Sequence, residues 1–534
     1  MKRIFGGFAA YFWVLVALLP VMILRDFTPD NELRYLSIAD EALREGNWLA
    51  FTNHGAAYAD KPPLYIWIVM LGKIIFGYHC MWFLSLFSLI PAFVIAEVMG
   101  RWAAPDLGRE FNTEAKLLLL SCGLFTATAV VLRMDMLMTM WIVIALWTFY
   151  KMYHERERRC GTPMIKARWR WFFPVWIFLG VFTKGPMGIL IPLVSIFVFL
   201  GLKRRLGYMG LAWGWRTWLV LAVLCALWFG GVYLEGGYEY LDNLLLHQTV
   251  DRAVNAFHHQ RPFWYYLAAI WYCFMPWVFL IIGMVVVGLA RSEHWLTDRL
   301  RLFLATGLST IVLLSCISSK IQIYMLPAYP FLVYYAAAYA WHYRGSRLAA
   351  LSITLPAVVL CVAGVSLWFI SGMEGMEMLR HPLVYVAGGA LAVCCAIGIL
   401  FMWRGRDIGY GVRWISLGLF LMIFTAGFAV PDYNKYIGYG EMSGHAVSLR
   451  GKTGAKGYYV YKVRRPENMD VYIGERPREL PEDAVAPYDS LPPGRWIVMT
   501  PVGEKSKFKY TYIKECGPYA VIATEGAEKT PEKR

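Results

Sequence analysis

Long apolar runs recur along this 534-residue chain, and we count thirteen that are long enough to cross a bilayer as helices. About 17 to 25 apolar residues span the hydrocarbon core while a helix satisfies its own backbone groups. Hydrophobic residues make up 58% of the chain and charged residues only 17%, which excludes an ordinary soluble protein. We therefore predict an all-α polytopic membrane protein with spans near 5–25, 80–100, 115–133, 136–152, 171–184, 186–202, 217–235, 263–289, 300–317, 323–341, 348–370, 383–403 and 413–430.

The positive charge predicts which side each loop faces. The net charge is +15, and most of the excess lies in short loops between apolar runs, which indicates membrane topology rather than a nucleic-acid surface. The basic loops share the side of the N-terminal MKR only if segment 62–77 does not cross. That segment has about 16 residues and contains Lys73, so we predict a juxtamembrane helix. The N-terminus is then cytoplasmic, and loops 26–61 and 236–262 lie outside.

The composition changes after residue 430. Short β-like runs (Tyr458–Tyr461, Trp496–Met499 and Tyr519–Ile522) alternate with Gly, Pro and Asp turns. We predict two domains, a transmembrane domain over 1–430 and a small α/β domain over 431–534 on the periplasmic side. The ten cysteines show no CxxC pair, so neither a zinc finger nor a disulfide framework is predicted.

The first outer loop holds the densest group of charged residues. Asp30, Glu32 and Arg34 precede a stretch with helical spacing, and Asp60 and Lys61 precede Pro62-Pro63, which favours a helix start. These carboxylates suit acid, base or metal chemistry, and the two cations suit a phosphate. Helix capping and interfacial anchoring explain the same residues equally well.

Further polar residues occur in other outer turns, where ionisable groups beside a bilayer indicate function by default. One Asp interrupts an apolar hairpin, two lysines occupy tight outer turns, and loop 236–262 carries two arginines and three histidines. The candidate site residues among these are Asp135, Lys184, Lys320, Arg252, His247, His258 and His259. Histidines facing outward are able to bind a metal, although exposed histidines are common. Together the cations predict a cavity for a phosphorylated membrane lipid, whose leaving phosphate they would stabilise.

Six motifs in one order resemble those of the lipid A aminoarabinose transferases, a family in the superfamily of the protein O-mannosyltransferases. They read DNELRY, YADKPPLYIW, RMDML, FTKGP, QTVDRAV with HHQRPFWYY, and SSKIQIYMLP, and they cover roughly residues 1–340. The resemblance implies a GT-C type fold and an inverting transfer of a sugar from undecaprenyl phosphate at the outer leaflet.

The resemblance also implies roles for particular residues. Lys61 and Arg34 would hold the carrier phosphate, Tyr58 and Tyr324 would line the same pocket, and Asp135 would be an active-site carboxylate. Asp60 with one of the loop histidines would bind a divalent metal such as zinc, and no organic cofactor is expected.

Two positions depart from the family pattern. Asn31 stands where an Asp is usual, and Gln248 stands where a Glu is usual. The amide of Asn31 offers no catalytic base at this position. Asp30 or Asp135 would take that role, or the acceptor is itself a phosphate, which is already anionic and needs no base.

We predict an enzyme of the bacterial inner membrane that glycosylates lipid A or another envelope glycan on the periplasmic side. One alternative is a protein O-glycosyltransferase of the same superfamily. Another is a flippase for a lipid-linked sugar, although no internal repeat is apparent and the motifs share one face.

Overall fold

The computed structural model describes residues 9–158, 167–245, 261–290, 297–374, 376, 379–484 and 486–525. The chain divides into two compact units. The first, called the membrane unit, comprises Met1–Pro20, Ala59–Tyr65 and Trp82–Gly427. The second, called the tail unit, comprises Val21–Tyr58, Ile66–Met81 and Phe428–Arg534.

Apolar helices make up most of the membrane unit. Seven helices in the described part of the chain are long and apolar enough to cross a membrane, namely Met81–Gly108, Asp135–Glu157, Trp215–Leu245, Asp298–Cys316, Arg347–Ile370, Pro382–Gly405 and Ile408–Gly427. The first of these continues to Leu120 beyond a kink at Gly108. Shorter helices of the unit are Gly123–Thr128, Ala167–Lys184, Met187–Leu202, Met209–Ala212, Tyr265–Cys273, Val278–Ala290 and Tyr329–His342. Helix Ala9–Leu24 begins in the membrane unit, and its last four residues are assigned to the tail unit. The multi-pass, mostly helical class is confirmed, whereas the number thirteen stays a prediction.

Several predicted spans are interrupted in the structure. The run 263–289 forms two helices, Tyr265–Cys273 and Val278–Ala290, and Pro276 lies between them. Proline has no N–H to donate and its ring clashes with the preceding turn, which favours a break in the helix there. The run 323–341 begins as the 3-10 helix Gln322–Ala328 before it becomes α-helical at Tyr329.

The tail unit begins with the outer loop. Its first helix, Glu32–Glu45, is called the loop helix, and it is followed by the two-residue strands β1 (Thr52–Asn53) and β2 (Ala56–Ala57), which pair antiparallel. The predicted helix after Pro62 runs over Pro63–Phe76 and is called the proline helix. Its first three residues are assigned to the membrane unit and the rest to the tail unit. The helix is confirmed, and its place in the membrane interface stays a prediction.

The carboxyl-terminal part of the tail unit packs helices on one mixed sheet. Helices Val430–Ile437, Gly440–Thr453 (the tail helix) and Asp470–Ile473 accompany β3 (Tyr458–Val460), β4 (Arg478–Glu479), β5 (Arg495–Pro501), β6 (Tyr512–Cys516) and β7 (Tyr519–Glu525). The strand order is β4-β3-β5-β7-β6, with β3 parallel to both β4 and β5 and the other pairs antiparallel.

All three predicted strands are confirmed within this sheet, while the sequence analysis missed β4 and β6. Those two strands are at the edges of the sheet, where exposed faces carry polar residues and the apolar alternation is weak. The small sheet domain after the membrane helices is thus confirmed, and the boundary at residue 430 stays a prediction.

Candidate active site

Asp135 lies at the centre of a buried ionic cluster in the membrane unit. It is the first residue of helix Asp135–Arg158, where the helix dipole favours a negative charge, and its side chain is only 2% exposed. One carboxylate oxygen accepts from Arg133 Nε at 3.2 Å, and the other is paired with Lys184 Nζ. Because each oxygen contacts a cation, two ion pairs hold this carboxylate in position.

Lys184 reaches this cluster from the end of another helix. It is the last residue of Ala167–Lys184, where the dipole favours a cation, and the helix stops because Gly185 adopts φ +95° ahead of Pro186. Its Nζ lies 4.4 Å from the centre of the Tyr324 ring, a cation–π distance. Three residues predicted from separate motifs, Asp135, Lys184 and Tyr324, therefore lie together.

Lys320 is buried close to the 3-10 helix that carries Tyr324. Its Nζ donates to the carbonyl oxygens of Arg261, at 3.1 Å, and of Ile317. The next residue along, Ile321, accepts from the Tyr266 hydroxyl at 3.4 Å. Carbonyl groups compensate an ammonium only in part, so an anion would be attracted to this turn.

Asp60 and Lys61 lie immediately before the proline helix, as predicted, and both side chains are half-buried. Tyr58 is buried, and its backbone N–H donates to the Phe51 carbonyl at 2.8 Å, which closes the β1–β2 hairpin. Tyr58 belongs to the tail unit, and Asp60 and Lys61 belong to the membrane unit. A shared pocket for Tyr58, Lys61 and Tyr324 stays a prediction.

Glu32 is fully buried at the start of the loop helix. Its two oxygens accept from both terminal nitrogens of Arg25 at 2.7 Å, and Oε2 also accepts from the backbone and hydroxyl of Thr28 at 2.8 and 2.9 Å. These contacts account for its burial without catalysis, because a bidentate pair with further hydrogen bonds satisfies a buried charge. Its catalytic role stays a prediction.

Asp30 and Arg34 are more accessible than Glu32. The Asp30 carboxylate pairs with Arg464 at 3.0 Å, and both side chains are exposed, so this pair contributes little to stability. Arg34 Nη2 donates to the backbone carbonyl of Asp30 at 3.1 Å. The side chain of Arg34 thus folds back over the loop start, and its predicted phosphate contact stays a prediction.

Asp40 holds the loop helix to the proline helix and to His79. Asp40 accepts from His79 at 2.8 Å and pairs with Lys73 of the proline helix at 3.1 Å. Burial raises the pKa of Asp40, but the hydrogen bond and charge of His79, together with Lys73, hold the pKa below its usual value. Lys73, which interrupts an apolar segment, is therefore matched by a carboxylate.

A second acid, Asp470, connects the loop helix to the carboxyl-terminal part of the tail unit. The Asp470 carboxylate accepts from the Ser37 hydroxyl at 2.8 Å and lies 4.0 Å from His54 Nδ1. Burial raises the pKa of Asp470 above its usual value, although Ser37 and the charge of His54 act in the opposite direction. This contact and that of Asp40 orient the outer loop from two sides.

Four predicted residues lie outside the described part of the chain: Arg252, His247, His258 and His259. The predicted metal pair of Asp60 with a loop histidine therefore stays a prediction.

Sequence reasoning missed Arg133 as a site residue. It also missed Glu441, His445 and Cys516, whose ligand atoms lie within 4.8 Å of one another. The signals were Arg133 two residues before Asp135 and the Glu-x-x-x-His spacing of EMSGH.

Known proteins of similar sequence carry the name of the family that the six motifs resemble. No family model matches the chain. It is 25% identical over 491 residues to the undecaprenyl phosphate-alpha-4-amino-4-deoxy-L-arabinose arabinosyl transferase 1 of Pseudomonas fluorescens, covering 87% of this chain and 82% of that one. A transferase of the same name from Shewanella sediminis is 25% identical over 428 residues, covering 78% and 75%.

A solved structure gives the fold. The chain superposes on the crystal structure of ArnT from Cupriavidus metallidurans bound to undecaprenyl phosphate with a TM-score of 0.77, over 96% of this chain and 97% of that one, at 16% identity. The chain therefore has the fold of ArnT, and the resemblance to the lipid A aminoarabinose transferases that the six motifs predict is confirmed by the relatives named above.

Proposed function

We propose that the chain transfers an aminoarabinose-type pentose from undecaprenyl phosphate to lipid A, with inversion at the sugar carbon, at the periplasmic face of the bacterial inner membrane. The relatives named above carry this donor and sugar in their names. The observation that carries the proposal is the convergence of Asp135, Lys184 and Tyr324, because it places a buried ammonium beside an aromatic face.

The reaction breaks the bond between the sugar C1 and the carrier phosphate oxygen, and undecaprenyl phosphate leaves with the bonding electron pair. An acceptor oxygen forms the new bond to C1 from the opposite face. The leaving phosphate gains negative charge, and preorganised cations that meet it lower the barrier. We assign this task to Lys184, with Lys61 and Arg34 as further phosphate contacts.

Asp135 acts in this scheme by positioning the cations. A buried ammonium group stays charged only if it has a partner of opposite charge. Asp135, at the start of a helix, is the partner of Lys184. When the donor binds, its phosphate shares Lys184 with Asp135. The Tyr324 ring then lies against the same ammonium and limits where the headgroup is placed.

The nature of the acceptor decides whether a base is needed. A lipid A phosphate is already anionic at neutral pH and attacks without proton removal. This fits Asn31, which offers no carboxylate at the position where the family has one. Asp30 remains the candidate if the acceptor is a hydroxyl group, since it is partly exposed and Glu32 is enclosed.

A divalent metal such as zinc remains proposed at Asp60 with a histidine of loop 236–262. A carboxylate and an imidazole are suitable zinc ligands, and a metal there would add positive charge beside the donor phosphate. Asp60 is half-buried, which leaves part of its side chain accessible to a ligand. None of the reaction steps described above requires this metal.

The test is expression of the full chain in a strain that lacks its own aminoarabinose transferase, followed by mass spectrometry of lipid A. We expect lipid A to gain the mass of one aminopentose with the wild-type chain and not with Lys184→Ala. If lipid A is unmodified while periplasmic proteins gain a sugar, lipid A is not the acceptor and the chain glycosylates proteins. If neither changes although the donor lipid is present and moves across the membrane, the chain is a flippase.

Lys203 provides a matched control for Lys184. It follows the helix Met187–Leu202, and its Nζ pairs at 2.7 Å with Asp298, the first residue of another helix. This repeats the arrangement of Lys184 with Asp135, but in a loop predicted to be cytoplasmic. Lys203→Ala should retain transfer, and equal losses in both variants would show that the effect is on folding.

A further inference from the structure

Three potential metal ligands meet in the tail unit, and none of them is among the residues proposed for sugar transfer. Glu441 and His445 are four positions apart on the tail helix, so they share one face of it. Cys516 is the last residue of β6 and is buried. In the described part of the chain these three form one group, and their ligand atoms lie within 4.8 Å of one another.

The fold holds the cysteine against the helix through the turn that follows it. Gly517 has φ +60°, and a Cβ there would meet the carbonyl oxygen of Lys435 at 2.8 Å. The turn between β6 and β7 therefore packs directly on the backbone ahead of the tail helix. The rings of Tyr439 and Tyr519 pack edge to face with centres 5.7 Å apart and close the same junction.

The chemistry of the three groups selects the metal. Thiolate, imidazole and carboxylate are the protein ligands of zinc, whereas magnesium and calcium take oxygen ligands. We propose that the tail unit binds one zinc ion through Glu441, His445 and Cys516, with a water at the fourth position. This site does not depend on the proposed sugar transfer, and it is separate from the metal proposed at Asp60.

The distances allow the site to close around an ion. Tetrahedral zinc with bonds of about 2.0 to 2.3 Å places its ligand atoms roughly 3.3 to 3.7 Å apart. His445 Nε2 and Glu441 Oε1 are now 4.0 Å apart, and both side chains are about two-fifths exposed and able to rotate. Cys516 is held in the core, so the two helix residues move toward it.

Binding would connect the tail helix to the edge strand of the sheet. The alternative is a surface pair of Glu441 with His445 beside an unrelated core cysteine, and a thiolate–metal bond distinguishes the two. Cobalt is a suitable probe, since it occupies zinc sites and its bond to a thiolate absorbs in the near ultraviolet.

The experiment titrates the purified full chain in detergent with cobalt and then with zinc. We expect one cobalt ion with the thiolate band, displacement of the band by zinc, and a higher unfolding temperature with zinc than with chelator. Cys516→Ser should lose the band. Changes to residues around a metal site commonly weaken metal affinity by about tenfold or more. His445→Ala, which removes a ligand, should therefore weaken cobalt binding by at least this factor.

Cys316 supplies the matched control because it is an exposed cysteine in the membrane unit, and Cys316→Ser should keep the band. A wild-type chain without the band, or a band that survives in Cys516→Ser, would overturn the proposal. If Cys516→Ser fails to fold, His445→Ala decides, because this partly exposed residue is replaced without disturbing the core. Unchanged cobalt affinity in His445→Ala would equally exclude the site.

Discussion

The pairing of Asp135 with Lys184 is best tested by a double-mutant cycle. The variants are Asp135→Asn, Lys184→Met and the double variant. Asp135 is 2% exposed and Lys184 is 11% exposed, so each charge depends on the other for compensation. The cycle measures that dependence directly and separates it from the contribution of either residue to transfer.

The magnitudes follow from burial. Removing one partner of a buried ion pair costs about 3 to 5 kcal/mol of unfolding free energy, because the other charge remains without compensation. Removing both partners avoids that cost. The double variant should therefore lose about 1 to 3 kcal/mol less unfolding free energy than the two single losses added together. The recovery is partial, since Arg133 also contacts Asp135 and loses this partner in the double variant.

Two assays are needed on the full chain in mixed micelles. Denaturant titration gives the unfolding free energy, and the rate of sugar transfer per folded molecule gives activity. Removal of one preorganised donor that stabilises developing negative charge lowers the turnover of an enzyme by about 10² to 10³. We expect losses of this size in all three variants, with stability but not transfer recovering in the double variant.

Two results would refute this reasoning. Strictly additive stability losses would mean that the two side chains are not coupled. Recovery of transfer in the double variant would mean that the pair is structural and does not meet the donor. The same cycle on Asp298 and Lys203 is the control: these groups are 21 to 29% exposed, so we expect a smaller coupling and unchanged transfer.

Two further predictions concern the tail unit. The pKa of Asp40 is lowered in the folded chain, so its charge stabilises the fold above the ordinary aspartate pKa, and this stabilisation is lost on acidification. The pKa of Asp470 is raised, so its charge destabilises the fold at neutral pH, and this destabilisation is relieved on acidification. Asp40→Asn should therefore lower, and Asp470→Asn raise, the unfolding free energy at pH 7, and pH-dependent denaturation that shows the same sign for both would contradict this. Gly517→Ala should lower the unfolding free energy by about 1 to 3 kcal/mol because of its positive φ and the adjacent Lys435 carbonyl. Gly503→Ala is the control: a Cβ added there meets no atom within 4 Å, so this change should be nearly neutral in the same titration.

Much of the architecture was predictable because it depends on local composition. An apolar run must form a helix inside a bilayer, whatever its neighbours are, since no water is present to satisfy its backbone. The start of the proline helix followed from Pro62-Pro63, and the three apolar tail strands followed from short apolar runs between Gly, Pro and Asp turns. Interruptions such as the one at Pro276 were less predictable, because surrounding helices decide whether a proline kinks or ends a span.

The chain by itself also determined which side chains are chemically unusual, because an ionisable residue in an apolar hairpin costs free energy unless it has a partner. It did not determine the partners. Lys184 reaches Asp135 from 49 positions away, and Cys516 at the end of β6 meets His445 of the tail helix, because elements distant in sequence meet in three dimensions. Likewise, Glu32 and Asp30 look alike in DNELRY, and only tertiary packing encloses Glu32 with Arg25 while it leaves Asp30 partly exposed.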